Sequence, residues 1–400
     1  MKSRVSIVVA LLLWAGLAFA IDRVISNRGP AAPSKSTKTA EAGFNHAYPP
    51  DPVGVERPKV TGRAPEAPRS NVLSRNLTIS SFDRLASLLP RGVLSRRGDA
   101  WLLSQPIELK KPARLVVTGP GTLDIGPRSF LLVGEGGVVV LKELTITGVD
   151  ASGLPLEAPR SDRGFLATAD GGRLWLERDV ISFLGHSGVQ AYGISLAKPG
   201  PGSGVLDSTI TGNYFGIYTT HAVGVKIVDN RVTNSWIYGI DPHTVSSNIL
   251  IQNNHVDGSG VHGIVLADRV TGSTVIGNVV TGSKDHGIVV FDGSNRNDVQ
   301  GNTVSQTFDG IVLQDSSGNR VLNNVIGPVS RFAVRISGAS NDNSIDQNTL
   351  GSALVGAYVY GGPTGNRLVD NRFVSDGEYV RVRADAPGNV VQPIPPRSEL

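Results

Sequence analysis

The amino-acid sequence predicts an all-β fold, a right-handed parallel β-helix of about 23–24 residues per coil with a short N-terminal helical cap. Three observations carry this expectation. A Gly-Ile pair recurs at Gly193-Ile194, Gly216-Ile217, Gly239-Ile240, Gly263-Ile264, Gly287-Ile288 and Gly310-Ile311, at spacings of 23, 23, 24, 24 and 23 residues. An offset series places Asn230, Asn254, Asn278 and Asn302 at intervals of 24. Between these markers run short β-branched segments bounded by Gly and Asn, as in ILIQNNHV, TVIGNVV and DVQGNTV, which is strand and turn chemistry. One such unit cannot close a core, whereas stacked coils bury a column of Ile, Val and Leu and let asparagines at the bends satisfy one another. Leucine-rich repeats share the period, but their leucine spacing is missing and the aliphatics here are mostly Val and Ile.

Along the chain, Lys2 and Arg4 precede an apolar run from Val5 to Ile21 that contains Ala18-Phe19-Ala20, the pattern of an export signal or an uncleaved membrane anchor over residues 1–21. Either form puts the body outside the cytoplasm. Residues 22–74 are rich in Pro, Ser, Lys and Ala without hydrophobic periodicity and read as a disordered linker. The stretch SFDRLASLLPRG is the expected helix, a polar-ended cap on the first coil. Looser strands follow (LVVTGPGTLDI, FLLVGEGGVVVLKELTITG, GGRLWLERDVISFLG), and weakened repeats (FAVRISG, VGAYVYGG) carry a solenoid spanning 75–384 before a Pro-rich tail over 385–400.

Composition narrows the function. The 48 Gly and the 18% of charged residues suit one long repetitive body, and 40% apolar residues suffice for a core. The net charge of +4 suits a polyanionic partner. Nucleic acid fits poorly with an exported chain that lacks basic-aromatic interleaving. The absence of cysteine excludes disulfides and thiolate metal sites. The turns FDGSN and QDSSG lack the nonapeptide repeat that would make calcium a strong expectation, so no metal and no cofactor are expected.

In a solenoid, residues at one offset from the Gly-Ile pair stack into a column. The residue before the pair, or its equivalent, reads Tyr192, Phe215, Tyr238, His262, His286, Asp309, Phe332, titratable in its middle. That suggests a substrate groove, with a His-rich solvated sheet face as the plainer alternative. In the coil YGIDPHT, Asp241-Pro242-His243 stands where later coils carry Val-Val or Val-Leu after Gly-Ile. Asp and Pro are ordinary turn formers and a His beside Asp is often just hydrogen-bonded, so the residues alone leave both readings open. Tyr238 and His243, five residues apart on one coil, would flank a sugar ring from two sides.

The runs YGIDPHT, HGIVLADRV and FLATADGGRLWLERDVISFLGHSGVQAYGISL resemble the periplasmic mannuronan C5-epimerases of alginate-producing bacteria, whose hallmark is a DPHD or DPHE motif on a β-helix; the resemblance runs from about Leu115 to Gly327. It implies that His243 abstracts the C5 proton, that Tyr238 delivers one to the opposite face, that Asp241 supports the site and that Arg269 neutralises the substrate carboxylate. The chemistry is consistent: a developing enediolate needs a cation or strong donors, a guanidinium supplies a planar fork, and an imidazole titrates near neutral pH. Lys284, His262, His286, Asp309 and Thr244 complete the expected substrate path. Thr244 is a departure, because the family closes its motif with Asp or Glu. The expected partner is an acidic polysaccharide acted on by a monomer, with membrane contact only through the N-terminal segment. A polysaccharide lyase, which begins with the same proton abstraction, and a non-catalytic glycan-binding or structural β-helix are the alternatives. A hydrolase would need paired carboxylates that this column lacks.

Overall fold

The computed structural model describes residues 70–158, 162–374 and 377–394, so the expected export segment, nearly all of the expected linker and the last six residues lie outside the described residues. The described chain is a right-handed parallel β-helix of about 12 turns. One face is a 13-stranded sheet whose members run in chain order from Asn71–Leu73 to Glu378–Val382. From Gly193 to Gly351 each coil contributes one strand to this long sheet and two shorter ones to the remaining faces, such as Leu250–Gln252 and His255–Asp257.

Register explains why the Gly-Ile repeat marks the coils. Ile194, Ile217 and Ile240 pair in sequence across adjacent strands, followed by Ile264, Ile288, Ile311 and Val334, and all are fully buried. The other faces add the inward columns Val232, Val256, Val280, Val304 and Ile227, Ile251, Val275, Val299. The glycine is required by close approach: a Cβ on Gly239 would collide with Val256 Cγ1 and lie 2.6 Å from the Gly263 carbonyl oxygen.

The bends are held by an asparagine ladder. The backbone N–H and Nδ2 of Asn254 both donate to Asn278 Oδ1 (2.8 and 2.9 Å), and Nδ2 also donates to the Ile227 carbonyl (2.9 Å). The same pattern continues through Asn302, Asn324 and Asn348 to Asn371, beyond the four positions evident from the 24-residue spacing. A second ladder, Asn297, Asn319, Asn343, Asn366 and Asn389, runs along another corner. These buried amides satisfy backbone groups that the turns would otherwise leave unpaired, at a net gain of roughly 1 kcal/mol per bond.

The expected helix is present as α1 (Phe82–Leu88), N-capped by Ser81, whose hydroxyl accepts from the Arg84 N–H at 3.1 Å; it buries Phe82 and Leu85. Two boundaries need correction. The solenoid begins at Asn71, inside the expected linker, because Asn71–Leu73 pairs with Ile107–Leu109 while burying only Leu73, too little apolar pattern to register as a strand. It also extends past 384: Val390–Ile394 pairs with Arg367–Val374, and Asn389 continues the second ladder inside the expected tail.

Candidate active site

Because side chains alternate across a strand, the outward face of the long sheet carries columns between the buried ones. The middle column reads Ser195, Tyr218, Asp241, then Val265, Val289, Val312 and Arg335. To one side lies the column predicted from sequence. Its rings follow one another from coil to coil: Tyr192 stacks on Phe215 at 4.6 Å, Phe215 meets Tyr238 tilted at 5.1 Å, and Tyr238 stacks on His262 at 5.3 Å and His262 on His286 at 4.9 Å between centroids. To the other side Thr220 pairs with His243. Tyr238 and His243 therefore border the coil whose centre is Asp241.

Asp241 is fully buried, and neither carboxyl oxygen has a hydrogen-bond partner among the described residues. Burial drives its pKa well above the ordinary carboxylate range, so the group is held neutral and can donate a hydrogen bond. Tyr218, which sequence reasoning missed, is its neighbour one coil earlier; its ring lies 6.0 Å from that of His243 and 4.7 Å from that of Tyr192. Burial, then Tyr192 and Asp241, hold its phenol neutral. The signal was an aromatic in FGIYTT at an outward position occupied by Ser one coil before.

His243 is partly buried; its Nδ1 lies 2.7 Å from Thr244 Oγ1, and its carbonyl accepts from Ser246 Oγ at 2.7 Å. Arg269 sits at the corner after the strand Ile264–Ala267, ion-paired to Asp268 at 2.8 Å with its side chain 61% exposed. Lys284 is exposed at the corner before His286–Phe291.

Farther along the groove the arrangement changes. Asp309 is fully buried and receives Arg331 through two bonds (2.9 and 2.7 Å), with Arg335 Nε 3.3 Å away. This carboxylate lies beneath the surface it was expected to line, engaged by arginines that the spacing argument did not single out. Arg335 also reaches back two coils to His286 Nε2 at 3.2 Å. A guanidinium only donates, so Nε2 must accept and the proton of neutral His286 sits on Nδ1, facing carboxylate oxygens of Asp285 and Asp309 at 3.2 and 3.5 Å. Burial, then Arg335 and Arg331, push the His286 pKa down to about 2; burial and His286 likewise push His262 well below its usual value. The two nearby carboxylates do not reverse this, since Nδ1 makes no aligned hydrogen bond.

His262, Asp285 and His286 place candidate ligand atoms within 4.8 Å of one another, close enough to share a metal ion. The lone pairs are already committed: His286 Nε2 accepts from Arg335, and His262 Nδ1 accepts from the His286 backbone N–H at 3.3 Å. With guanidinium charge alongside, a cation does not fit this donor set.

A family model described as periplasmic copper-binding protein (NosD) matches residues 176–352 and 291–391, together more than half of the chain. The mannuronan C5-epimerase of Pseudomonas aeruginosa is 28% identical over 161 residues, 34% of this chain and 30% of the relative. The mannuronan C5-epimerase AlgG of Azotobacter vinelandii is 29% identical over 160 residues, again 34% and 30% of the two chains. The match thus spans less than a third of these curated relatives' length. The crystal structure of the periplasmic alginate epimerase AlgG superposes with a TM-score of 0.74 over 82% of this chain and 86% of that one at 19% identity, which establishes the shared fold. The copper in the family description finds no fitting donors in the His262 cluster. The chain belongs to the family described as periplasmic copper-binding protein (NosD).

Proposed function

We propose that this chain is an extracytoplasmic enzyme that converts β-D-mannuronate to α-L-guluronate within an alginate-like polyuronate. The observation that carries the reading is one coil presenting the phenol of Tyr238, the neutral carboxyl of Asp241 and the imidazole of His243 on the outer face of the long sheet. His243 takes the C5 proton, and the electron pair left on C5 delocalises into the sugar carboxylate as an enediolate. Arg269 meets that charge, and Asp241, buried beneath the site as a neutral group, supports the site without adding a repelling anion. Tyr238 returns a proton to the opposite face of C5. The imidazolium and phenolate then exchange protons with solvent, so the reaction is a net isomerisation.

The test is proton NMR of polymannuronate incubated with the protein and with His243→Ala. Guluronate signals that fall at least about a hundredfold in the variant are expected. Unsaturated chain ends would make the protein a lyase, and an unchanged spectrum with retained polymer binding would make it a binding protein.

A further inference from the structure

The ring column beside the groove contains an imidazole whose proton has only one place to sit. His262 stands one coil beyond Tyr238 and one before His286, its ring plane within 3° of the first and 8° of the second. Its Nδ1 accepts a hydrogen bond from the backbone N–H of His286 at 3.3 Å. That donor is held in place by the pairing of adjacent coils, since the His286 carbonyl accepts from the Gly263 N–H at 3.0 Å. Nδ1 therefore keeps its lone pair, and the ring proton of neutral His262 sits on Nε2.

A second proton on Nδ1 would set two N–H groups head to head. Burial, then His286 and Arg335, oppose that proton more strongly than Asp309 favours it, so the ring stays neutral. The Asp285 carboxylate, 3.7 Å from Nδ1, is beyond hydrogen-bond distance. An imidazole N–H lies in the plane of its ring. With the three planes nearly parallel and one coil apart, the Nε2–H cannot donate to the rings of Tyr238 or His286 and stays at the level of its own coil. Nε2 is also the end of the ring farthest from the backbone, and the side chain is 14% exposed beside the groove.

We propose that His262 is a fixed neutral donor whose Nε2–H binds a hydroxyl oxygen of the sugar next to the reacting one. The coil of His262 lies about 4.8 Å beyond that of Tyr238 and His243, close to the advance of one linked pyranose. A neutral donor with the Asp285 carboxylate behind it suits a hydroxyl better than a second carboxylate. The inference rests on the reading of this groove as a polyuronate site.

The test is nitrogen-15 NMR of the histidine rings in the full chain, with His262 assigned from His262→Phe, beside polymannuronate calorimetry and the epimerisation assay. In the wild type the His262 proton is on Nε2, and the ring does not titrate from about pH 8 to about pH 5. His262→Phe keeps a ring in a column that already holds Phe215, and raises Kd and KM about three- to tenfold with kcat little changed. His262→Gln, which brings an amide donor near the Nε2 position, stays within about twofold of the wild type, whereas the shorter amide of His262→Asn gives the same loss as His262→Phe. These ratios hold at low and high salt, as for an uncharged acceptor. A proton on Nδ1, a Kd unchanged in His262→Phe, or a loss that salt erases would overturn the assignment. Should the wild type bind polymannuronate and make no guluronate while the variants rank as described, the His262 donor stands and the proposed activity fails. A wild type that does not bind polymannuronate overturns both.

Discussion

Two aspartates on the outward face of one sheet, three coils apart, are both fully buried and have opposite surroundings. Among the described residues Asp241 has no hydrogen-bond partner for either oxygen, whereas Asp309 receives Arg331 twice and lies beside Arg335. The second is a clamp: it ties its own coil to the next, and through Arg335 and His286 to the one before. The first is a polar group left unsatisfied, at a cost to stability. Two carboxyls at the same depth thus differ by their partners alone.

The comparison breaks most readily at the clamp. Arg335→Ala strands the buried Asp309 charge with a weakened partner set and opens the cover over Val312, so chemical denaturation should show a loss of about 3–5 kcal/mol. A loss below about 1 kcal/mol would mean that Asp309 is held well enough by Arg331 alone.

Asp241→Asn should move stability the other way. The folded-state pKa of Asp241 is raised, so its contribution is fully present below the unfolded value and is lost as pH rises. At pH 7 the amide variant should be more stable by roughly 1–3 kcal/mol, converging with the wild type near pH 4, while epimerisation falls. A variant less stable at both pH values would show that Asp241 has partners after all.

Acid sharpens the contrast, because the clamp's imidazoles have depressed folded-state pKa values. Their contribution is present above about pH 6.5 and lost below it, at about 1.4 kcal/mol per pH unit for each ring, down to about 2 for His286. Hydrogen exchange at pH 5 should therefore open the coils around His286 before those around Asp241. The smallest effect concerns the corner after His243, where Val245 is exposed at φ 56°. Val245→Asn should stabilise the chain by about 0.5–1 kcal/mol in denaturation, since Asn tolerates the left-handed region better than a β-branched residue.

Much of this was legible in the sequence. The Gly-Ile and Asn periods located the core and one ladder, and the offset from the glycine grouped Tyr238, His262 and His286 into the stack that the structure contains. The motif Asp241-Pro242-His243 stood out because it broke an apolar pattern. The second ladder was hidden by spacings of 22 to 24 residues, and the terminal strands by the exposure of residues such as Val72 and Val390.

What the sequence by itself determined is position along and around the coil, since in a solenoid a fixed period converts residue number into place on the surface. Only the tertiary structure decided which charges are answered. Arg331 and Arg335 reach Asp309 from 22 and 26 residues away, and among the described residues no side chain bonds to Asp241. Those outcomes depend on side-chain reach and direction between coils, which short-range order does not encode, and on the loss of water that makes each unmet or met charge matter.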